Sequence, residues 1–322
     1  SDLLAISANL DEFVRLRDIS EAWAWADELL ELDDLSGADR GRVLVIAAQA
    51  AWRRGRIADA ARLATEGGTI AADDWTVARS LSSLGVAQLF QGEFQAAAAT
   101  WTERRAVDGY FIDAANAALS FAYDGDVQAG RMLIAEIRDR CLETDWPTAT
   151  AWMEYITGEI ESVAGSGEHE PWLEAAVEHA TEIGSAFTIG VAGLTLCTSV
   201  AARGEVHQAA QRYRDLIGHW LRSGTWTQQW TTLRHAAALL RSHDPALTIA
   251  ILDAADLDPY APVMDLSPKG ESAALRRSLD SSLTDDQRDR ARALAGLHRA
   301  DLAERTRAAL GELCGEEPPR SA

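Results

Sequence analysis

Residues 84–101 read LGVAQLFQGEFQAAAATW, and the reading of this stretch decides the fold. Gly85 and Ala97 are small where two antiparallel helices would cross closely, and Gly92 supplies a tight turn between them. Phe94 and Trp101 are large and placed to fill the gap to a following pair. One helix hairpin cannot bury its apolar face alone. The stretch therefore predicts neighbours of the same kind at a period of roughly 34 to 40 residues.

The chain repeats the pattern. With Gly92 as the anchor, the frame recurs at Gly55 (Ala48, Ile57, Ala60, Ala64), at Gly125 (Ala118, Val127, Gly130, Ile134) and at Gly204 (Leu196, Val206, Ala209, Tyr213). Gly158 and Gly165 mark a further unit whose turn is lengthened through Ser166 to Pro171, after which Trp172 and Ala175 resume the second helix. Fainter units fall at either end, on Phe13, Ile19, Ala22 and Ala26, and on Ala237, Leu240, Leu247 and Ala250. The fold class expected is all-α, a right-handed α-solenoid of antiparallel hairpins over residues 1–260. A linker at 261–271, short capping helices at 272–313 and a disordered tail at 314–322 complete the expectation.

Composition agrees with that class. A chain of 322 residues would make two globular domains, but a solenoid has no single core to outgrow and runs this long as one array. The hydrophobic fraction of 47% excludes a disordered chain, and abundant Ala, Leu, Arg and Glu favour helix almost throughout. The net charge of −20, from 30 basic against 50 acidic residues, argues against nucleic-acid binding, which needs a cationic face. Cys141, Cys197 and Cys314 are odd in number and form no C-x-x-C, so neither a disulfide framework nor a metal site is indicated, and a cytoplasmic location is expected. The N-terminus lacks a basic run ahead of an apolar core, so no signal peptide is read there, and its Ser1 suggests a fragment or processed chain. The most apolar run, Ala186 to Ala202, is interrupted by Thr188, Gly190, Gly193 and Thr195. It is too short to span a bilayer and reads as a buried helix, so no membrane partner is expected.

Proline placement sets the later boundaries, because Pro suits the first helical turn and breaks an interior. Pro147, Pro171 and Pro245 sit where the repeat frame independently starts a helix. Pro259, Pro262 and Pro268 end the array.

The anchor offsets in 84–101 resemble those of a tetratricopeptide repeat. In such arrays the first helix of each unit lines the concave face. Carrying those inward positions onto this chain gives Arg42, Gln49, Trp52, Arg53, Arg79, Phe90, Tyr123, Trp152, Tyr155 and Glu159, with Arg234 further along. Aromatic bodies for stacking and guanidinium groups for carboxylates would make this a groove for a peptide, a partner protein or a small effector. The same residues would instead be structural if the curvature of the array or the terminal helices cover them. Most of the eleven Trp read as core: Trp101 and Trp172 at packing positions, Trp23 and Trp75 where hairpins meet, and Trp226 and Trp230 on one helix face near Trp220.

Residues 233–283, with IAILDAAD at Ile249 to Asp256, the Ala261-Pro262 segment and a Leu/Arg-rich helix, resemble the end of the helical-repeat region in actinobacterial regulators. Those proteins join a STAND-type signalling ATPase to a helical-repeat sensor, often with a LuxR-type helix-turn-helix. The resemblance implies a sensor or protein-interaction domain of such a regulator. This chain has no G-x-x-x-x-G-K-[ST], and its single lysine, Lys269, lies in SPKGES, so the ATPase is missing from it. Leu283 to Arg305 resembles the first part of a LuxR-type helix-turn-helix, which keeps a DNA-binding regulator as the alternative, although no recognition helix follows.

Catalytic signals in the pattern are poor. The seven histidines are scattered, no H-E-x-x-H occurs, and no Ser or Cys sits in a nucleophile motif. Glu168-His169-Glu170 reads as a solvated loop, and the adjacent carboxylates Asp33 and Asp34, like Asp285 and Asp286, read as connector or helix-start residues. An all-α lyase would need an Asp-rich metal motif, and its nearest approach, Asp256 to Asp258, runs into Pro259. No enzyme, cofactor or metal is expected.

Overall fold

A computed structural model describes residues 2–14, 16–17, 19–33, 35–108, 110–263 and 271–315. Among the described residues the chain is all-α, with seventeen helices and no strand. The first eleven are α1 (Asp2–Val14), α2 (Ser20–Leu30), α3 (Gly37–Arg53), α4 (Ile57–Thr69), α5 (Asp74–Phe90), α6 (Phe94–Asp108), α7 (Phe111–Tyr123), α8 (Val127–Leu142), α9 (Pro147–Ala164), α10 (His169–Glu182) and α11 (Ala186–Ala202). The remainder are α12 (Val206–Ser223), α13 (Trp226–Leu240), α14 (Pro245–Leu257), α15 (Glu271–Asp280), α16 (Asp285–Ala295) and α17 (Arg299–Leu313). Two compact units result, Ser1–Thr195 and Leu196–Ala322, with the division inside the stretch expected to run as one array to residue 260.

Local chemistry starts and stops these helices where the sequence indicates. Asp73 accepts from the Thr76 backbone N–H at 2.8 Å, Asp126 from Ala129 at 2.9 Å and Asp244 from Leu247 at 3.0 Å, each satisfying a donor the first turn leaves open. Pro147 and Pro245 open α9 and α14, and Thr284 with Gln287 forms a reciprocal capping box on α16. Gly92 turns the chain between α5 and α6 at φ +79°, a left-handed conformation that favours a residue without a Cβ, and Gly55, Gly125 and Gly204 do the same at their turns. The apolar run from Ala186 to Ala202 is the helix α11, and no described helix is long and apolar enough to cross a membrane.

In the first unit each helix from α1 to α9 packs on the one after it, and α3 also meets α5 as α7 meets α9. The stretch at 84–101 packs as its small residues require. The Trp101 indole lies directly on Gly85, where an added Cβ would come within 2.6 Å of the ring, and it buries against Ala97 and Ala117. Phe94 reaches Tyr123 of α7, with ring centroids 5.7 Å apart. The α9–α10 crossing corrects one expectation. Leu173, not Trp172, lies on Gly158, while Leu173, Ala176 and Ala180 are buried and Trp172 and Ala175 are only half-buried. The lengthened turn displaces the α10 frame by one residue.

In the second unit α12, α13 and α14 pack in sequence, α16 lies on α14 and α17 on α12. Leu283 and Ala291 join Ala246 and Ile249 in one cluster, so α16 covers an apolar face of α14. Trp220 and Trp230 are buried, while Trp226 is half-buried beneath the Arg299 guanidinium at 4.3 Å. Most of the expected linker (264–270) and of the expected tail (316–322) lies outside the described residues.

Candidate functional site

The inward positions carried over from the repeat frame assemble on α3, α5, α7 and α9 of the first unit, joined by the start of α11. Trp52 stacks on Phe90 with centroids 6.2 Å apart and meets the edge of Phe187 at 5.8 Å. Phe187 stacks in turn on Trp152 at 6.0 Å, and Trp152 lies 4.9 Å from Tyr155. Arg53 fills the space between, with its guanidinium 4.9 Å from Trp23, 4.6 Å from Trp52 and 4.4 Å from Phe187. A planar cation held by three rings replaces lost hydration with the aromatic quadrupoles and ties α2, α3 and α11 together.

Polar groups of this layer bond within α3 and from one helix to another. Ser83 donates to Gln49 Oε1 at 3.4 Å, and that oxygen also accepts the Trp52 indole N–H at 3.0 Å. The Trp152 indole N–H donates to Asn116 Oδ1 at 3.0 Å. Glu159 takes one bond from the Tyr123 hydroxyl at 2.7 Å and another from Thr195 at 2.5 Å. Burial pushes the Glu159 carboxyl above the usual range, against the downward pull of those two hydroxyls. Burial likewise raises the Tyr123 and Tyr155 phenols, with the Glu159 charge adding to both.

The layer is sealed rather than open. Gln49, Trp52, Arg53, Phe90, Trp152, Tyr155 and Glu159 are each less than 10% exposed. An open groove lined by these side chains is therefore corrected to a closed inner layer. Over Trp52 and Trp152 the cover is Phe187, held by a tie between distant segments. Leu16 O, between α1 and α2, accepts from Phe187 N at 3.0 Å and Ser185 Oγ at 3.2 Å, and Arg17 Nη2 donates to Ile183 O at 3.0 Å. These bonds hold the start of α11, with Phe187, against the inner side chains.

Three of the expected residues lie elsewhere. Arg42 pairs with Asp73, the cap of α5, at 2.6 Å and is 42% exposed. Arg79 stands 5.8 Å from both Trp75 and Tyr110. Arg234, in the second unit, donates to Pro262 O at 2.6 Å. Phe187, Asn116 and Thr195 belong to the layer but were not among the expected residues. Asn116 sits on the inward side of α7, whereas Phe187 and Thr195 were hidden in an apolar run that reads only as core.

A second feature was not anticipated. Between α8, α9 and α10 lies a cavity of about 480 Å³ lined by Arg138, Asp139, Cys141, Thr150, Met153, Glu154 and Trp172. Cys141 and Met153 are each 1% exposed, and burial pushes the Cys141 thiol upward. Arg138 lies over the Trp172 ring at 5.4 Å, and Glu154 accepts from His179 Nδ1 at 2.7 Å. Among the described residues no group of three or more His, Cys, Asp or Glu side chains is placed to hold a metal ion. Compared with models of known protein families and with curated protein sequences, the chain matches none.

Proposed function

We propose that the chain is a helical-repeat sensor and protein-interaction domain of a bacterial signalling or transcriptional regulator. It is read as a right-handed solenoid of tetratricopeptide-like hairpins, acting in the cytoplasm without catalysis and recognising a peptide, partner protein or small effector on the inner layer of the first unit. The observation carrying this reading is the set of cross-repeat bonds: Ser83 to Gln49, Trp152 to Asn116 and Thr195 to Glu159 join positions 34, 36 and 36 residues apart. Bonds at one repeat length align equivalent positions of successive first helices, which is how a repeat array composes a recognition face. The aromatic side chains there, with Arg53 and Glu159, carry the stacking, anionic and hydrogen-bonding groups that peptide recognition uses. Because the layer is closed, recognition on it requires the tie at Leu16 and Arg17 to release.

The DNA-binding alternative finds less support. Leu302, Ala303, Thr306 and Leu310 of α17 are buried, and α17 packs on α12. A gel-shift assay at low salt should show no retardation of duplex DNA, and retardation would favour that alternative. The main reading is tested by panning a random-peptide library against the intact chain and mapping selected peptides by amide hydrogen exchange. Protection of α3, α5, α7 and α9 supports it. Failure to enrich any peptide, or protection confined to other helices, removes it.

A further inference from the structure

We propose that the cavity between α8, α9 and α10 binds an organic ammonium ion, a compact apolar body carrying one cationic amine. The site is separate from the inner layer and does not depend on the reading given above. Its volume of about 480 Å³ falls within the range of small-molecule sites, and such sites pair a mainly apolar lining with a few fixed polar groups. Here the apolar part is supplied by Met153 and Cys141, both almost fully buried, and by the Trp172 indole. Sulfur atoms beside an aromatic wall make a soft, polarisable surface suited to an apolar or aromatic body.

Charge selects the cation. Two carboxylates, Asp139 and Glu154, line the cavity against one guanidinium, Arg138. Glu178 and Glu182 add negative charge nearby and, after the Glu154 hydrogen bond, raise the His179 pKa, so that even with a protonated His179 bonded to Glu154 four carboxylates stand against two cations. An anionic ligand would meet those carboxylates, with Arg138 already engaged on the ring. Trp172 already carries a cation on its face, since Arg138 lies 5.4 Å from its centroid. An incoming ammonium would take that place on the indole, swing Arg138 outward and set its charge toward Glu154, which is 14% exposed.

Phenethylammonium is a suitable probe, with phenylacetate as the same body carrying the opposite charge. Binding is read on the Trp172 indole N–H resonance, assigned by its loss in Trp172→Phe, and by calorimetry on the intact chain. The amine should shift that resonance saturably, and phenylacetate should leave it unmoved. Glu154→Gln, which keeps an oxygen acceptor for His179, should weaken the amine about tenfold. Arg138→Ala, at a half-buried position, should strengthen it by removing the resident competitor. The inference is overturned if the resonance stays fixed up to the solubility limit of the amine, if phenylacetate binds as well, or if Arg138→Ala weakens the amine. Unchanged affinity in a folded Glu154→Gln variant would also overturn it.

Discussion

Two helix crossings in the first unit are built to one plan and end differently. At α5–α6 the large side chain of Trp101 lies on Gly85 and is 1% exposed, and Arg104 one turn later is 1% exposed beside Asp113 of α7. At α9–α10 Leu173 lies on Gly158, Trp172 is half-buried, and a cavity opens beside it. An aromatic one residue out of frame points about 100° away around a helix of 3.6 residues per turn. The first crossing therefore closes into core and the second leaves a lined hollow. A small shift of register separates a filled crossing from a hollow one.

The largest effect should come from the filled crossing. Asp113 is fully buried, accepts from Ser82 at 2.6 Å and lies 3.2 Å from Arg104 Nε. Asp113→Ala leaves that guanidinium buried opposite an empty site, and should cost about 3–5 kcal/mol in a urea titration. A loss under about 1 kcal/mol would show that the crossing relaxes around the charge. Gly85→Ala comes next. Its new Cβ meets the indole at 2.6 Å, so the ring must move, with an expected cost of about 1–3 kcal/mol.

The hollow crossing should be forgiving. Trp172→Ala removes a half-buried indole beside an existing cavity, and its cost should stay below about 1 kcal/mol, because no filled space is emptied. A loss as large as that expected for Asp113→Ala would mean that Trp172 is core after all. The smallest effect is a pH dependence on the rim. The hydrogen bond to Glu154 raises the His179 pKa above its ordinary 6.5. A folded value above the unfolded one stabilises fully below about 6.5 and loses that contribution as pH rises through the folded value. The melting-temperature difference between the natural chain and Glu154→Gln should thus be widest in mild acid and narrow as the pH rises. A difference that widens toward alkaline pH would contradict the pairing.

The sequence carried the helices well because their signals are local. Pro147 and Pro245 state where helices begin, and Gly55, Gly92, Gly125 and Gly204 state where they turn. That Gln49, Trp52, Arg53, Phe90, Tyr123, Trp152, Tyr155 and Glu159 group together was also legible, since they share one connected layer. Their exposure was not. It is set in part by Leu16 and Arg17 bonding to Phe187, Ser185 and Ile183, about 170 residues away, where every bond ends on a backbone carbonyl that leaves no mark in side-chain spacing. The cavity was illegible for a related reason, because a frame anchored on Gly165 cannot show that the longer turn advances α10 by one residue.

By itself the sequence determined that this chain is helical, where its turns fall and which side chains share a face, because caps, prolines, turn glycines and small-residue spacing act within a few residues. Only the tertiary structure decided that the shared face is shut and that a hollow opens between α8, α9 and α10. Closure and cavities are differences in how whole helices meet, and those are set by contacts between segments that the chain order keeps far apart.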